Sequence, residues 1–200
     1  MRVKICGVTR TEDALAAEAA GADAIGLIFA ERSKRRVTLA QAQAISAALG
    51  PFIARVGVFV DAPLSTVQEV VRVLRLAAVQ LHGHEDAAYA EALRPRVRVI
   101  RAVPFTPGLS LEVLRASPAD AFLLDGLSPG SGEVFSWNAA SGLANTPHLI
   151  LAGGLTPANV AAGIRLLRPY GVDVASGVES SAGIKDPRKI QDFVRAAKTA

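Results

Sequence analysis

One cysteine, one tryptophan, one methionine and three histidines are all that 200 residues contain, and aromatic side chains make up 5% of the chain. A lone thiol cannot close an internal disulfide, so Cys6 is expected to be free and the fold to hold without covalent staples. Nor do one cysteine and the scattered His82, His84 and His148 spell a standard zinc site. Apolar runs never approach the ~18 residues that a membrane-spanning helix requires. The chain also enters a strand pattern at once, without the features of a secretory leader. The expectation is a cytoplasmic protein with no membrane partner. Charge of one sign is not in large excess either: 22 Lys and Arg face 18 Asp and Glu, a net charge of +4 that modestly favours anionic ligands. The basic residues are dispersed apart from those at 32–36, with no basic stripe interleaved with aromatics, which argues against nucleic acid as a partner. Half of the chain is apolar, enough to bury a sizeable core.

What the sequence does contain is an alternation of short apolar runs and helical patterns. Residues 2–29 set it. A short run around Val3 and Ile5 is closed by Gly7, and Thr9 followed three residues later by Glu12 has the spacing of a capping box. Leu15, Ala19 and Ala22 then fall on one helical face, Gly21 stands where a left-handed stop belongs, and 24–29 is apolar enough to be a strand buried on both sides. A second helix is predicted after Thr38 and Gln41, again in capping-box spacing, with Ile45, Ala48 and Leu49 ahead of Gly50-Pro51.

Residues 53–60, 78–81, 97–103, 121–124, 148–152 and 172–175 read as further strands. Between them lie a helix carrying Val67, Val70, Val71 and Leu74, one with Ala88, Ala92 and Leu93, a short one at 110–115 and a brief one near 139–143. Thr156 at the N-cap with Pro157 after it predicts a helix through Ile164 and Leu167. Asp186-Pro187 opens a last helix with Ile190, Phe193, Val194 and Ala197 inward. Eight strands alternating with helices, with no linker composition between them, fit a single (β/α)8 barrel domain over residues 1–200. The length falls short of the usual ~250 residues, so the loops must be short. A doubly wound open sheet is the alternative.

In such a barrel the chemistry sits at the carboxyl ends of the strands. That rule selects Cys6, the basic loop at 32–36, Asp61, His82, Asp125, Gly153-Gly154 and Ser176-Gly177. Glycines in the loops after strands seven and eight let backbone N–H groups approach phosphate oxygens. A cysteine at the rim works as a base only as thiolate, which needs nearby positive charge to lower its pKa from about 8.5; Lys4, two residues earlier, is on the same side of the strand. An acid at the end of strand six, Asp125, facing that cysteine across the mouth, would complete a base and an acid over a bound sugar phosphate. A guanidinium from the basic loop suits a carboxylate in two-pronged geometry. His82 and His84, two such residues in a surface turn, read as loop or packing histidines rather than catalysts, with their roles left open.

The motifs Val3-Lys-Ile-Cys-Gly7, Ser33-Lys-Arg35, Arg55-Val-Gly-Val-Phe-Val60, Val79-Gln-Leu-His-Gly83, Leu123-Leu-Asp125, Ala152-Gly-Gly-Leu-Thr-Pro157 and Ser176-Gly-Val-Glu179 together resemble phosphoribosylanthranilate isomerase, an enzyme family of tryptophan biosynthesis. The resemblance implies an aldose–ketose isomerase that performs the Amadori rearrangement of N-(5-phosphoribosyl)anthranilate. It implies no metal and no organic cofactor, a small phosphoribosyl substrate as partner, and a monomer or homodimer. On the family pattern Asp125 is the general acid, Cys6 the general base, Arg35 holds the anthranilate carboxylate, and Gly153, Gly154, Ser176 and Gly177 hold the phosphate. Departures from the family's usual pattern fall at Pro129 and Ser136 in the loop after strand six, at Asp61 and at Ala175. The histidine-pathway isomerase, whose sequence has a two-fold repeat and an aspartate where Cys6 stands, is the nearest rival. A metal-dependent sugar-phosphate epimerase and a non-catalytic sugar-phosphate binder with a redox-sensitive thiol are more distant ones.

Overall fold

The structure, a computed structural model, describes residues 1–126 and 136–200. Eight parallel strands pair in chain order: β1 (Arg2–Cys6), β2 (Ala24–Ile28), β3 (Ala54–Phe59), β4 (Ala78–Leu81), β5 (Arg98–Pro104), β6 (Ala121–Asp125), β7 (Leu149–Leu151) and β8 (Gly171–Val174). β8 pairs back onto β1, which closes the barrel. Around it run α1 (Thr11–Ala19), α2 (Leu39–Ala48), α3 (Leu64–Leu74), α4 (Ala87–Leu93), α5 (Leu111–Arg115), α6 (Val160–Leu167) and α7 (Pro187–Lys198). Between β6 and β7 the described residues hold a 3₁₀ turn at Ser141–Leu143 where a brief helix was expected. The fold is the (β/α)8 barrel, not the open sheet.

Because successive strand residues point to opposite faces, the apolar runs divide into two cores. Ile5, Ile25, Leu27, Leu81, Val99, Leu124, Leu151 and Val172 face outward and are sealed by the helices. Val56, Ala78, Ile100, Ala102, Leu123, Ile150 and Ala152 fill the barrel interior. The small side chains among the second set are what a narrow barrel can hold. Lys4, Gln80, Asp125 and Asp173 are also buried, although they are polar or charged. Lys4 and Asp173 pair directly in the register of β1 with β8.

At the opposite rim two carboxylates finish the sheet. Asp23, just before β2, accepts from the Val3 N–H at 2.9 Å and from Arg2 Nη1 at 3.0 Å. Asp120, just before β6, accepts from the Val99 N–H at 2.8 Å and from Arg98 Nη1 at 2.9 Å. Each satisfies a strand donor that has no ladder partner. Arg55 does the equivalent for a helix end, donating to the carbonyls of Ser46, Leu49, Gly50 and Ile53 and so capping α2.

Several local expectations give way to tertiary contacts. Thr38 and Gln41 do form a capping box, but Thr9 and Glu12 do not, because the Thr9 hydroxyl donates to Gly183 O at 2.6 Å and α1 starts instead after Arg10. Its buried residues are Asp13, Ala14 and Ala17, and Leu15 faces out. In α4 the buried alanine is Ala90, and Ala88 is exposed. α6 begins at Val160, three residues after Pro157, with Asn159 in the N-cap position. The Asn159 side chain folds back to accept from the Thr156 N–H and to donate to Gly154 O. A hairpin that periodicity does not reveal, β9 (Glu179–Ser181) with β10 (Ile184–Lys185), follows β8 and docks on the start of α1, where Lys185 N–H donates to Asp13. Among the described residues no helix is long and apolar enough to cross a membrane.

Two measurements check this arrangement. Phe193→Ala, at a fully buried ring, should lower the unfolding free energy in urea by about 3–5 kcal/mol, whereas Leu15→Ala should stay within about 0.5 kcal/mol. For Asp23 and Asp120, burial works to raise the pKa, but the backbone N–H and arginine donors outweigh it and hold both carboxyls below their ordinary value. A carboxyl depressed in the folded state stabilises the fold fully above about pH 4 and loses that contribution as the pH falls further, because the unfolded chain takes up the proton first. The urea midpoint should therefore drop on acidification below about pH 4, and less steeply in Asp23→Asn than in the parent chain.

Candidate active site

Cys6 and Asp125 are the last residues of β1 and β6, so both stand at the carboxyl-terminal mouth. Both point inward: Cys6 follows Lys4 by two residues and Asp125 follows Leu123, which belongs to the interior cluster. Each is almost completely buried. Gly26, the register partner of Cys6 on β2, leaves the space the sulfur needs. A Cβ there would lie 2.7 Å from Sγ and 3.1 Å from Lys4 Nζ.

The charges under the thiol are specific. Lys4 Nζ donates to Asp173 Oδ1 at 2.9 Å and to Gln80 Oε1 at 3.0 Å, and it lies beside the Cys6 side chain. Burial works to lower the Lys4 pKa, but Asp173 outweighs it, so the ammonium is held above its ordinary value. Lys4 is thus the cation expected beside Cys6. Its effect is smaller than that expectation required: burial pushes the thiol up, the lysine pulls it down, Asp173 pushes up again, and the net position lies above the ordinary range. The free thiol, not the thiolate, is the resting form at neutral pH.

Asp125 Oδ1 accepts from the Gly126 N–H at 2.8 Å, and His82 Nε2 stands 3.4 Å from Oδ2. Gly153 lies against the same carboxyl, since a Cβ on it would come within 2.9 Å of Oδ1. The loops after β7 and β8 also touch: a Cβ on Gly177 would stand 1.9 Å from Leu155 O, a separation only glycine permits. Gly153, Gly154, Ser176 and Gly177 therefore lie in two abutting loops beside Asp125.

Arg35 reaches the site over Gly7, whose φ of +69° and missing Cβ make room for the arginine stem 2.6 Å from where a Cβ would sit. Its guanidinium is engaged: Nε and Nη2 donate to Glu179 at 2.7 and 2.9 Å. Two of its five N–H groups are used and three remain. Glu179 also accepts from Lys185 Nζ at 2.9 Å, and Lys185 in turn donates to Ala175 O at 2.9 Å. Burial would raise the Glu179 pKa, but Arg35 and Lys185 prevail and hold it below its usual value.

Of the other rim residues, Asp61 and His84 pair with each other on the exposed side. The His84 N–H donates to Asp61 Oδ1 at 2.5 Å, and Asp61 adopts a φ of +49° that suits Asp in a turn. They tie two loops together and take no part in the buried cluster. Gln80, Asp173 and Lys185 are members of the site that residue reading alone did not select. Their only signal is a polar residue inside an apolar strand pattern, which was visible at Gln80 and Asp173. The glycines at 130 and 132, with Pro129 and Phe135, lie outside the described residues.

Comparison with known proteins bears on the family of the chain. The family model described as N-(5'phosphoribosyl)anthranilate (PRA) isomerase matches residues 3–196. A relative from Pelobacter propionicus named N-(5'-phosphoribosyl)anthranilate isomerase is 46% identical, over 99% of this chain and 96% of its own length. The crystal structure of phosphoribosyl anthranilate isomerase from Thermus thermophilus superposes with a TM-score of 0.93 at 45% identity, covering 100% of this chain and 99% of that one. Another such isomerase, solved in complex with reduced 1-(o-carboxyphenylamino)-1-deoxyribulose 5-phosphate, gives 0.88 at 38% identity with full coverage of both chains. Matched over nearly all of its length by the family model and by relatives of the same size, the chain belongs to the phosphoribosylanthranilate isomerase family.

Proposed function

We propose that this chain, acting over residues 1–200 as one barrel domain, catalyses the Amadori rearrangement of N-(5-phosphoribosyl)anthranilate to 1-(2-carboxyphenylamino)-1-deoxyribulose 5-phosphate. The observation that carries the reading is a thiol and a carboxyl, both buried, at the same mouth of one barrel, beside two abutting glycine loops. The substrate is a small anionic molecule, the setting is the cytoplasm, and the protein works as a monomer or homodimer.

The steps balance without an oxidant or reductant. The Asp125 carboxyl gives its proton to the furanose ring oxygen as the C1–O bond breaks, and the anthranilate nitrogen supplies the electron pair that leaves an open-chain iminium ion. Cys6, ionised by loss of its proton to solvent, then takes the proton from C2, and the electrons of that C–H bond form the C1–C2 double bond of the neutral enolamine as the iminium pair returns to nitrogen. Tautomerisation gives the ketone at C2 and the amine at C1. Lys4, its charge beside the sulfur, favours the thiolate when the base must form. Gly153, Gly154, Ser176 and Gly177 hold the phosphate through backbone N–H groups and the serine hydroxyl. Arg35, braced by Glu179, keeps three N–H groups for the anthranilate carboxylate.

Adding the purified protein to substrate should abolish the anthranilate fluorescence at a rate proportional to enzyme. Cys6→Ser and Asp125→Asn should each lower kcat by on the order of 10² or more while the far-UV circular dichroism is unchanged. If both keep full turnover, the two roles are wrong. Arg35→Ala should act differently, raising KM far more than it lowers kcat, and an unaltered KM would place the carboxylate elsewhere.

A further inference from the structure

Between the thiol and the carboxyl runs a line of side chains whose polarity is fixed from one end. Lys4 is the fixed end. An ammonium has three N–H donors and no lone pair, and here it donates to Asp173 and to Gln80. The Gln80 atom facing it must therefore be the carbonyl oxygen. Gln80 is fully buried, and its planar amide consequently turns the NH₂ group the other way, onto His82 Nδ1 at 3.1 Å. An amide NH₂ only donates, so Nδ1 must offer its lone pair, and the proton of the neutral ring belongs on Nε2. That nitrogen is the one standing 3.4 Å from Asp125 Oδ2.

We infer that the Lys4–Gln80 pair locks His82 in its Nε2–H tautomer and so makes His82 a positioning residue for the Asp125 carboxyl. The inference rests on the reading of Asp125 as the acid. Once the Nε2–H closes onto Oδ2, with the Gly126 N–H already on Oδ1, each carboxyl oxygen has one anchored lone pair. The plane of the carboxyl is then set, and the second lone pair of each oxygen is left for the proton and the substrate. A separation of 3.4 Å needs to close by only about 0.5 Å to become an ordinary hydrogen bond, and catalytic contacts of this kind commonly tighten when substrate binds. The opposite tautomer would set an Nδ1–H against the amide hydrogens of Gln80, which is repulsive at that joint. His82 thus acts through Asp125 and touches no reacting atom.

The primary test is the ¹⁵N spectrum of the histidine ring in the intact protein at neutral pH. His82 should show a pyridine-type Nδ1 and a protonated Nε2. A protonated Nδ1, or rapid averaging between the two forms, overturns the lock. Gln80→Met, which keeps the volume but removes the amide, should abolish the single-tautomer signature and lower kcat roughly tenfold or more with little change in KM. If that buried substitution fails to fold, His82→Ala at the half-buried rim should give the same kcat loss and the same unchanged KM. In an Asp125→Asn background His82→Ala should cost nothing further, because its effect passes through the missing acid. A full additional loss there overturns the positioning role. Should Asp125→Asn alone retain activity, the acid assignment falls, while the tautomer result stands or falls by the spectrum alone.

Discussion

An ammonium buried inside the barrel, Lys4 against Asp173, is the constraint on which the site depends. Removing two charges from water costs several kcal/mol per ion, and the attraction between them repays it only where the remaining donors are also satisfied. Here they are, and the way they are satisfied links three strands: β1 supplies the lysine, β8 the aspartate and β4 the glutamine. An apolar pair would fill the same space at less cost. What the ion pair adds is direction. The lysine places its charge beside the sulfur and donates to the amide across the lumen, so the electrostatic setting of Cys6 and the orientation of Gln80 come from one atom.

A second ionic cluster governs the other side of the mouth. Arg35, Glu179 and Lys185 come from the loop after β2, from β9 and from β10, and the hairpin that carries two of them is held by Thr9 and Asp13 at the start of α1. The loop after β1 is thereby tied to the segment after β8, the two places where the ends of the closed sheet meet. The Arg35 stem lying across Gly7 brings that cluster next to Cys6. Base and carboxylate-binding arginine are in this way placed by the same few residues, and a change in the hairpin would be felt at both.

The two clusters differ in what they ask of their carboxylates. Glu179 is surrounded by cations and kept ionised, while Asp125 has a backbone N–H and one imidazole and no cation bonded to it among the described residues. Glu179, held by two cations, suits the role of a brace.

The order of the elements was legible in the residues themselves. Gly21, Gly50-Pro51 and Asp186-Pro187 mark stops and starts through backbone geometry, which acts locally, and the period-two and period-3.6 patterns act over a few residues. Eight strands of that kind, joined by helices, fit a closed barrel or a doubly wound open sheet, and in either the strand ends name Cys6 and Asp125. The boundaries that failed did so where the predicted cap had another partner: Thr9 spends its hydroxyl on the distant Gly183, and Asn159 turns back to the loop after β7. The tertiary structure alone decided that Arg35 is held by Glu179, that Lys185 lies buried beside it, and that Gln80 and His82 join the lysine to the acid. Those contacts link residues as far as 144 positions apart. No periodicity or capping rule reaches across such a separation, because only closure of the sheet brings those side chains within a hydrogen bond of each other.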